Sequence, residues 1–110
     1  MLPNKHRLAR SEEIRDTLKK RQYSTRTPLL HIVATNNPAG AFRLAVTVRG
    51  VKSAVKRNRL KRLIKAAILE IIDKTGKKVD MVIFPKVGLL TEKVDNIAKI
   101  IMKAIEKWPK

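Results

Sequence analysis

Between Ser53 and Lys74 the apolar residues recur with the period of a helix, and this run constrains the fold more than any other feature of the chain. At about 100° per residue, Leu60, Leu63, Ile64, Ala67, Ile68 and Ile71 fall within one arc, while Asn58, Lys61, Arg62 and Lys65 fall opposite. Ser53 is placed to cap the first turn and Gly76 to stop the last, giving about six turns. A stripe of that length needs an apolar surface to lie on, which the rest of the chain must supply.

The other segments read as shorter elements. Ser11, Glu12 and Glu13 open a helix over about 11–21, with the acids in the first turn and Lys19, Lys20 and Arg21 in the last, where the helix dipole favours each. Ile14 and Leu18 lie on its apolar face. Residues 29–34 form a short apolar strand ending in the turn-forming cluster 36–40. Phe42, Leu44, Val46 and Val48 alternate with Arg43, Ala45 and Thr47, a strand with one face buried. A hairpin between these two strands is expected. The pattern over 22–25 leaves a further edge strand undecided. Residues 79–84, with Pro85, read as a buried strand, and 91–108 as a last helix with Val94, Ile97, Ala98, Ile101, Ala104, Ile105 and Trp108 inward. The residues alone give an αββαβα order in one α+β domain spanning 1–110.

Charge says what such a domain meets. The chain carries 26 Lys and Arg against 9 Asp and Glu, a net charge of +17. Residues 17–69 contain no acid, yet they hold 13 of those 26 cations. Its expected partner is a polyanion. With no cysteine, a disulfide framework, a thiolate zinc site and a thiol nucleophile are all excluded. No apolar run approaches the roughly 20 residues of a membrane span, and no apolar signal core follows Met1 to Lys5, so a cytoplasmic protein is expected. A protein nuclease is disfavoured, because hydrolysis needs a metal pair or an acid/base pair. Acids are missing where nucleic acid should lie, and His6 and His31 are far apart in sequence.

The functional constellation is Arg49 to Lys65, with eight cations and no anion. Like charges three or four apart on a helix cost roughly 0.2–0.5 kcal/mol per pair. Burial of the Leu60, Ile64 and Ile68 face can offset that, but it does not explain a wholly basic outer face. Phosphate binding does. Arg57, Arg59 and Arg62 have the planar fork suited to phosphates and bases, and the Asn58 amide can both donate and accept.

Ala54-Val55-Lys56-Arg57-Asn58-Arg59-Leu60-Lys61-Arg62-Leu63-Ile64 resembles the Arg-Asn-Arg signature of the bacterial ribonuclease P protein subunit. Residues 2–8 are similar to that family's N-terminal lead-in, 43–48 to the strand before its basic helix, and 80–85 to its last strand. The resemblance implies about four strands and three helices in the order αβββαβα, with a left-handed β-α-β crossover where general rules favour the right-handed one. It also implies a subunit that binds the catalytic RNA of ribonuclease P and the 5′ leader of precursor tRNA. Hydrolysis would be carried by Mg²⁺ held by the RNA, with no catalytic or metal-ligating residue, cofactor, membrane or obligate protein partner for the protein itself.

Carried over by position, the RNA-binding residues are Arg49, Lys52, Lys56, Arg57, Asn58, Arg59, Lys61, Arg62 and Lys65. Ile14, Leu18 and either His31 or Ile32 would line the leader cleft. The chain departs from the family in having Ile14 and Leu18 where aromatics are usual, and Arg49-Gly50 where a longer basic Ser-Lys-Lys segment is usual. The alternative is a ribosomal or other structured-RNA-binding protein without a role in tRNA processing.

Overall fold

A computed structural model describes residues 11–36, 42–75 and 79–106. The long amphipathic run forms helix α2 over Ala54–Thr75, preceded by helix α1 (Ser11–Lys20) and strands β1 (Tyr23–Arg26), β2 (Leu30–Asn36) and β3 (Arg43–Val46). Strand β4 (Val79–Pro85), a 3-10 turn (Val87–Thr91) and helix α3 (Val94–Glu106) follow. The order is αβββαβα, three helices with a four-stranded sheet.

Local signals explain most boundaries. Ser53 caps α2 as expected: its Oγ accepts from the Lys56 amide at 3.3 Å and its carbonyl from the Arg57 amide at 3.0 Å. The undecided stretch near residue 23 is an edge strand, joined to β2 by a tight hairpin that Thr27 fastens. The Thr27 Oγ1 accepts from the amides of Leu29 and Leu30 at 3.2 and 3.0 Å, and the Thr27 amide donates to the Leu30 carbonyl at 2.8 Å. The last helix starts at Val94, not Thr91, because Val87–Thr91 closes on itself, with the Leu89 amide donating to the Lys86 carbonyl and the Glu92 amide to that of Leu89. Gly76 and Trp108 lie outside the described residues.

The expected hairpin between the second and third apolar runs does not form. The sheet order is β1-β2-β4-β3: β4 lies antiparallel to β2, with Leu30 opposite Pro85, and parallel to β3, with Arg43 opposite Asp80. A parallel pair needs a crossover, and α2 is its helix. Apart from Asp80, the run 79–85 is apolar on both faces, which is what a strand flanked on both sides and covered above and below requires.

The two faces of the sheet carry different loads. Leu30, Ile32, Ala34, Leu44, Met81 and Ile83 join Leu60, Ile64, Ala67, Ile68 and Ile71 of α2 and Ile97, Ile101 and Ile105 of α3 in the main core. The opposite face is smaller: Ala45 and Val82 are buried there, with Ile14, Leu18 and Phe84 packed around them. Helix α1 thus covers only part of its face, with Thr17 buried. No described helix is long and apolar enough to cross a membrane.

Leu60 is fully buried, whereas Val55, one turn earlier, is 75% exposed. Leu60→Ala is expected to lower stability by about 2–5 kcal/mol through the cavity it leaves. Val55→Ala is expected to change it by no more than about 0.5 kcal/mol. Urea denaturation of the two variants checks the helical phase, and similar losses in both would refute it.

Candidate nucleic-acid interface

The basic face of α2 follows from its period. With Leu60, Ile64 and Ile68 turned into the core, Lys56, Asn58, Arg59 and Arg62 are exposed, while Lys61 and Lys65 are half-buried with long stems able to leave their ammonium groups in water. Lys52 is also exposed, just before the helix. No acid occupies the first turn of α2, so nothing there neutralises the positive end of the helix.

Arg57 has a different job from its neighbours. One guanidinium nitrogen, Nη1, donates to the carbonyls of Val51 and Lys52, both at 2.8 Å. It braces the segment that leads into α2. That segment turns at Gly50, whose φ of +73° is a left-handed conformation that a Cβ would strain although the space around it is open. The shortened lead-in before the helix is therefore made by a glycine turn and held by an arginine.

A second basic surface lies on the α1 side of the sheet. Where α1 ends, the sheet is left uncovered and forms a cleft of about 490 Å³. Leu18 and Arg21 form one wall, Arg26, His31 and Val33 come from β1 and β2, Phe84 and Pro85 from β4, and Arg49 and Lys86 close the rim. Among the described residues its lining holds four cations and no carboxylate. The Arg49 guanidinium lies over the Phe84 ring, 4.7 Å from its centroid. The His31 and Phe84 rings stack with centroids 5.9 Å apart and planes at 29°. Arg43, in contrast, is neutralised: its Nε and Nη2 donate to the two carboxylate oxygens of Asp80 at 2.8 and 2.9 Å.

The strand register resolves the alternative left open by the sequence. His31 faces the cleft, and Ile32, with its side chain on the other side of the pleat, is fully buried in the main core. Ile32 is not a cleft residue. Leu18 lines the cleft, while Ile14, one turn away, sits half-buried in the small cluster with Ala45 and Val82. Arg49, grouped by sequence with the α2 cations, belongs to the cleft. Arg21, Arg26, Phe84 and Lys86 were not singled out by the sequence, because nothing local distinguishes them from ordinary strand and turn residues.

The His31 ring is held in a cationic neighbourhood. Partial burial lowers its pKa below the usual value of 6.5, and Arg26, Arg21 and Lys86 lower it further. The Ser24 hydroxyl lies 2.8 Å from its Nε2. The neutral imidazole is the favoured form, and the arrangement as a whole attracts an anion to a cleft floored by rings.

A family model for ribonuclease P matches residues 2–108 of the chain. Among solved structures, the ribonuclease P protein of Thermotoga maritima superposes with a TM-score of 0.80 at 18% identity, covering 94% of this chain and 98% of that one. That of Staphylococcus aureus superposes with a TM-score of 0.75 at 18% identity, covering 92% and 93%. A search of curated proteins gives no match.

A histidine whose pKa is lowered by folding binds protons less readily in the native than in the unfolded chain, so it favours folding above about pH 6.5 and loses that contribution as the pH falls below it. Between pH 7.5 and 5.5, wild-type protein is expected to lose more stability than His31→Gln. Paired melting curves across that range measure the difference, and parallel losses would remove His31 as its source.

Proposed function

The chain belongs to the ribonuclease P protein family, and from that membership, which makes it a subunit of the endoribonuclease that matures the 5′ end of tRNA, we propose that its two basic surfaces hold two different RNAs. The exposed face of α2, through Lys52, Lys56, Asn58, Arg59 and Arg62 with the heads of Lys61 and Lys65, grips the catalytic RNA. The cleft beneath α1, through Leu18, His31 and the rim cations, takes the single-stranded 5′ leader of precursor tRNA. Arg57 serves the first surface indirectly, by holding the chain leading into α2. This reading places the protein in the cytoplasm with the RNAs it serves and requires no protein partner.

The observation that carries the proposal is the lining of the cleft. A phosphodiester backbone is drawn to four cations, and unpaired bases to ring faces, whereas duplex RNA offers no splayed bases to such a groove. The same lining argues against catalysis by the protein. Mg²⁺ takes oxygen ligands and needs carboxylates or phosphates to hold it. Guanidinium and ammonium groups repel it. The residues present therefore fit the metal only through RNA phosphates, and Mg²⁺ held there would supply the hydrolytic chemistry while the protein positions the leader. Reading the chain as a general structured-RNA binder leaves a cleft that sets rings among cations unexplained, and the family match does not favour it.

Reconstitution tests this directly. Precursor tRNA with Mg²⁺ is expected to be cleaved at the 5′ junction with the catalytic RNA present and left intact by the protein alone. Cleavage by the protein alone would overturn the division of labour. If about six to ten phosphates are contacted, affinity for the catalytic RNA should fall by roughly 10³ to 10⁵ between 50 and 200 mM salt. Arg62→Ala should flatten that slope by about one phosphate contact while leaving the melting temperature unchanged. A salt-independent affinity would exclude backbone recognition.

A further inference from the structure

Helix α1 offers the cleft the aliphatic side chain of Leu18, on which a nucleobase cannot stack, and Ile14 one turn earlier packs into the small apolar cluster. The sheet opposite offers rings. Phe84 stands on β4, the strand hydrogen-bonded on both sides and hence among the most firmly held parts of the molecule. Its direct cross-strand partner on β2 is His31, so the two rings are presented together. Val82, two residues earlier on the same face, is fully buried, but Phe84 lies at the margin of the small apolar cluster and stays partly open to the cleft. Core filling alone would not leave a ring there.

Charge and size complete the site. Arg21, Arg26 and Lys86 surround the same space, so the phosphate of a nucleotide whose base met Phe84 would lie among cations. A volume of about 490 Å³ is in the range of sites that hold one small ligand, and so one nucleotide fits where a length of folded RNA does not.

Building on the reading of this cleft as the leader groove, we propose that Phe84, flanked by His31 and Arg49, is the stacking platform for one leader nucleobase, supplied by the floor of the sheet rather than by α1. The Arg49 guanidinium occupies the ring in the free protein. An exposed cation–π contact is weaker than base stacking, so the base takes the ring and leaves Arg49 beside the phosphate. Every base has a π face, so the platform accepts all four and reads the presence of a base more than its identity.

The test is a cycle between protein and leader in the reconstituted holoenzyme. Leader positions are replaced one at a time by abasic residues, and the affinity for precursor over mature tRNA is measured with wild type, Phe84→Leu, Phe84→Met and Phe84→Tyr, beside each melting temperature. In wild type, one position is expected to lose roughly five- to a hundredfold in affinity when its base is removed. Phe84→Leu or Phe84→Met should lose a similar factor on the intact leader and nothing further on that abasic leader, while Phe84→Tyr, which keeps the ring, should behave as wild type. The two non-aromatic variants guard against one failing to fold. A folded Phe84→Leu or Phe84→Met that binds the intact leader as wild type does, or still responds fully to the abasic position, overturns the platform. The double variant Arg21→Gln/Arg26→Gln separates the two failures. If it leaves the precursor-to-mature ratio unchanged, the cleft does not hold the leader at all; if it lowers the ratio while the Phe84 variants do not, the cleft stands and the platform falls.

Discussion

The apolar stripe of α2 holds the molecule together against its own charge. Five close like-charge pairs, Lys56–Arg59, Arg57–Lys61, Arg59–Arg62, Lys61–Lys65 and Arg62–Lys65, together oppose the helix by about 1–2.5 kcal/mol. A single buried isoleucine returns about 1.5–3 kcal/mol, and Ile64, Ile68 and Ile71 are all buried beside Leu60. Burial wins by a wide margin, and this surplus lets one face of the helix be given over to cations. The helix also carries the crossover between β3 and β4, so the stripe that anchors the basic face fixes the sheet order as well.

Charge is distributed unevenly over the two faces that meet solvent. Arg43 is tied to Asp80 across the β3–β4 pair, an acid brought from outside the acid-free stretch to a half-buried cation on the sheet. Arg57 spends its guanidinium on backbone carbonyls. The cations lining the cleft have no carboxylate beside them in its lining, and Arg26, Arg21 and Lys86 add to the effect of burial in lowering the pKa of His31. An anion entering the cleft would offset that field, so anion binding there and proton uptake by His31 would favour one another.

Elements were legible in the sequence wherever a single period ran long enough. The apolar arc of α2 was readable from Leu60 to Ile71, and Ser53 marked its start. Strand partners were not. The turn-rich cluster after β2 suggested a hairpin to β3 because periodicity reports which face is buried and says nothing about which strand lies alongside. The signal that could have decided it was the apolar run of β4, interrupted by Asp80 alone, whose side chains are needed on both faces only if it is central. The cleft was legible in part for a related reason. Leu18 and His31 could be named from resemblance, but Phe84, Arg21, Arg26 and Lys86 meet only through pairings far apart in the chain, and Ile32 could be separated from His31 only once the register was known.

The central place of β4 sets the order in which the molecule can be assembled. β2 and β3 have no bond to each other, and both wait for a strand that follows α2; Leu30 pairs with Pro85 more than fifty residues later. Loop closure over such distances slows folding relative to local structure. A chain still emerging from the ribosome shows the cations of the α2 run before the sheet exists, whereas the surface that buries the α2 stripe and the floor of the cleft both arrive with β4. The first segment able to meet RNA is thus that basic run, and an RNA that holds the completed fold more tightly than the open chain draws the late strand into place.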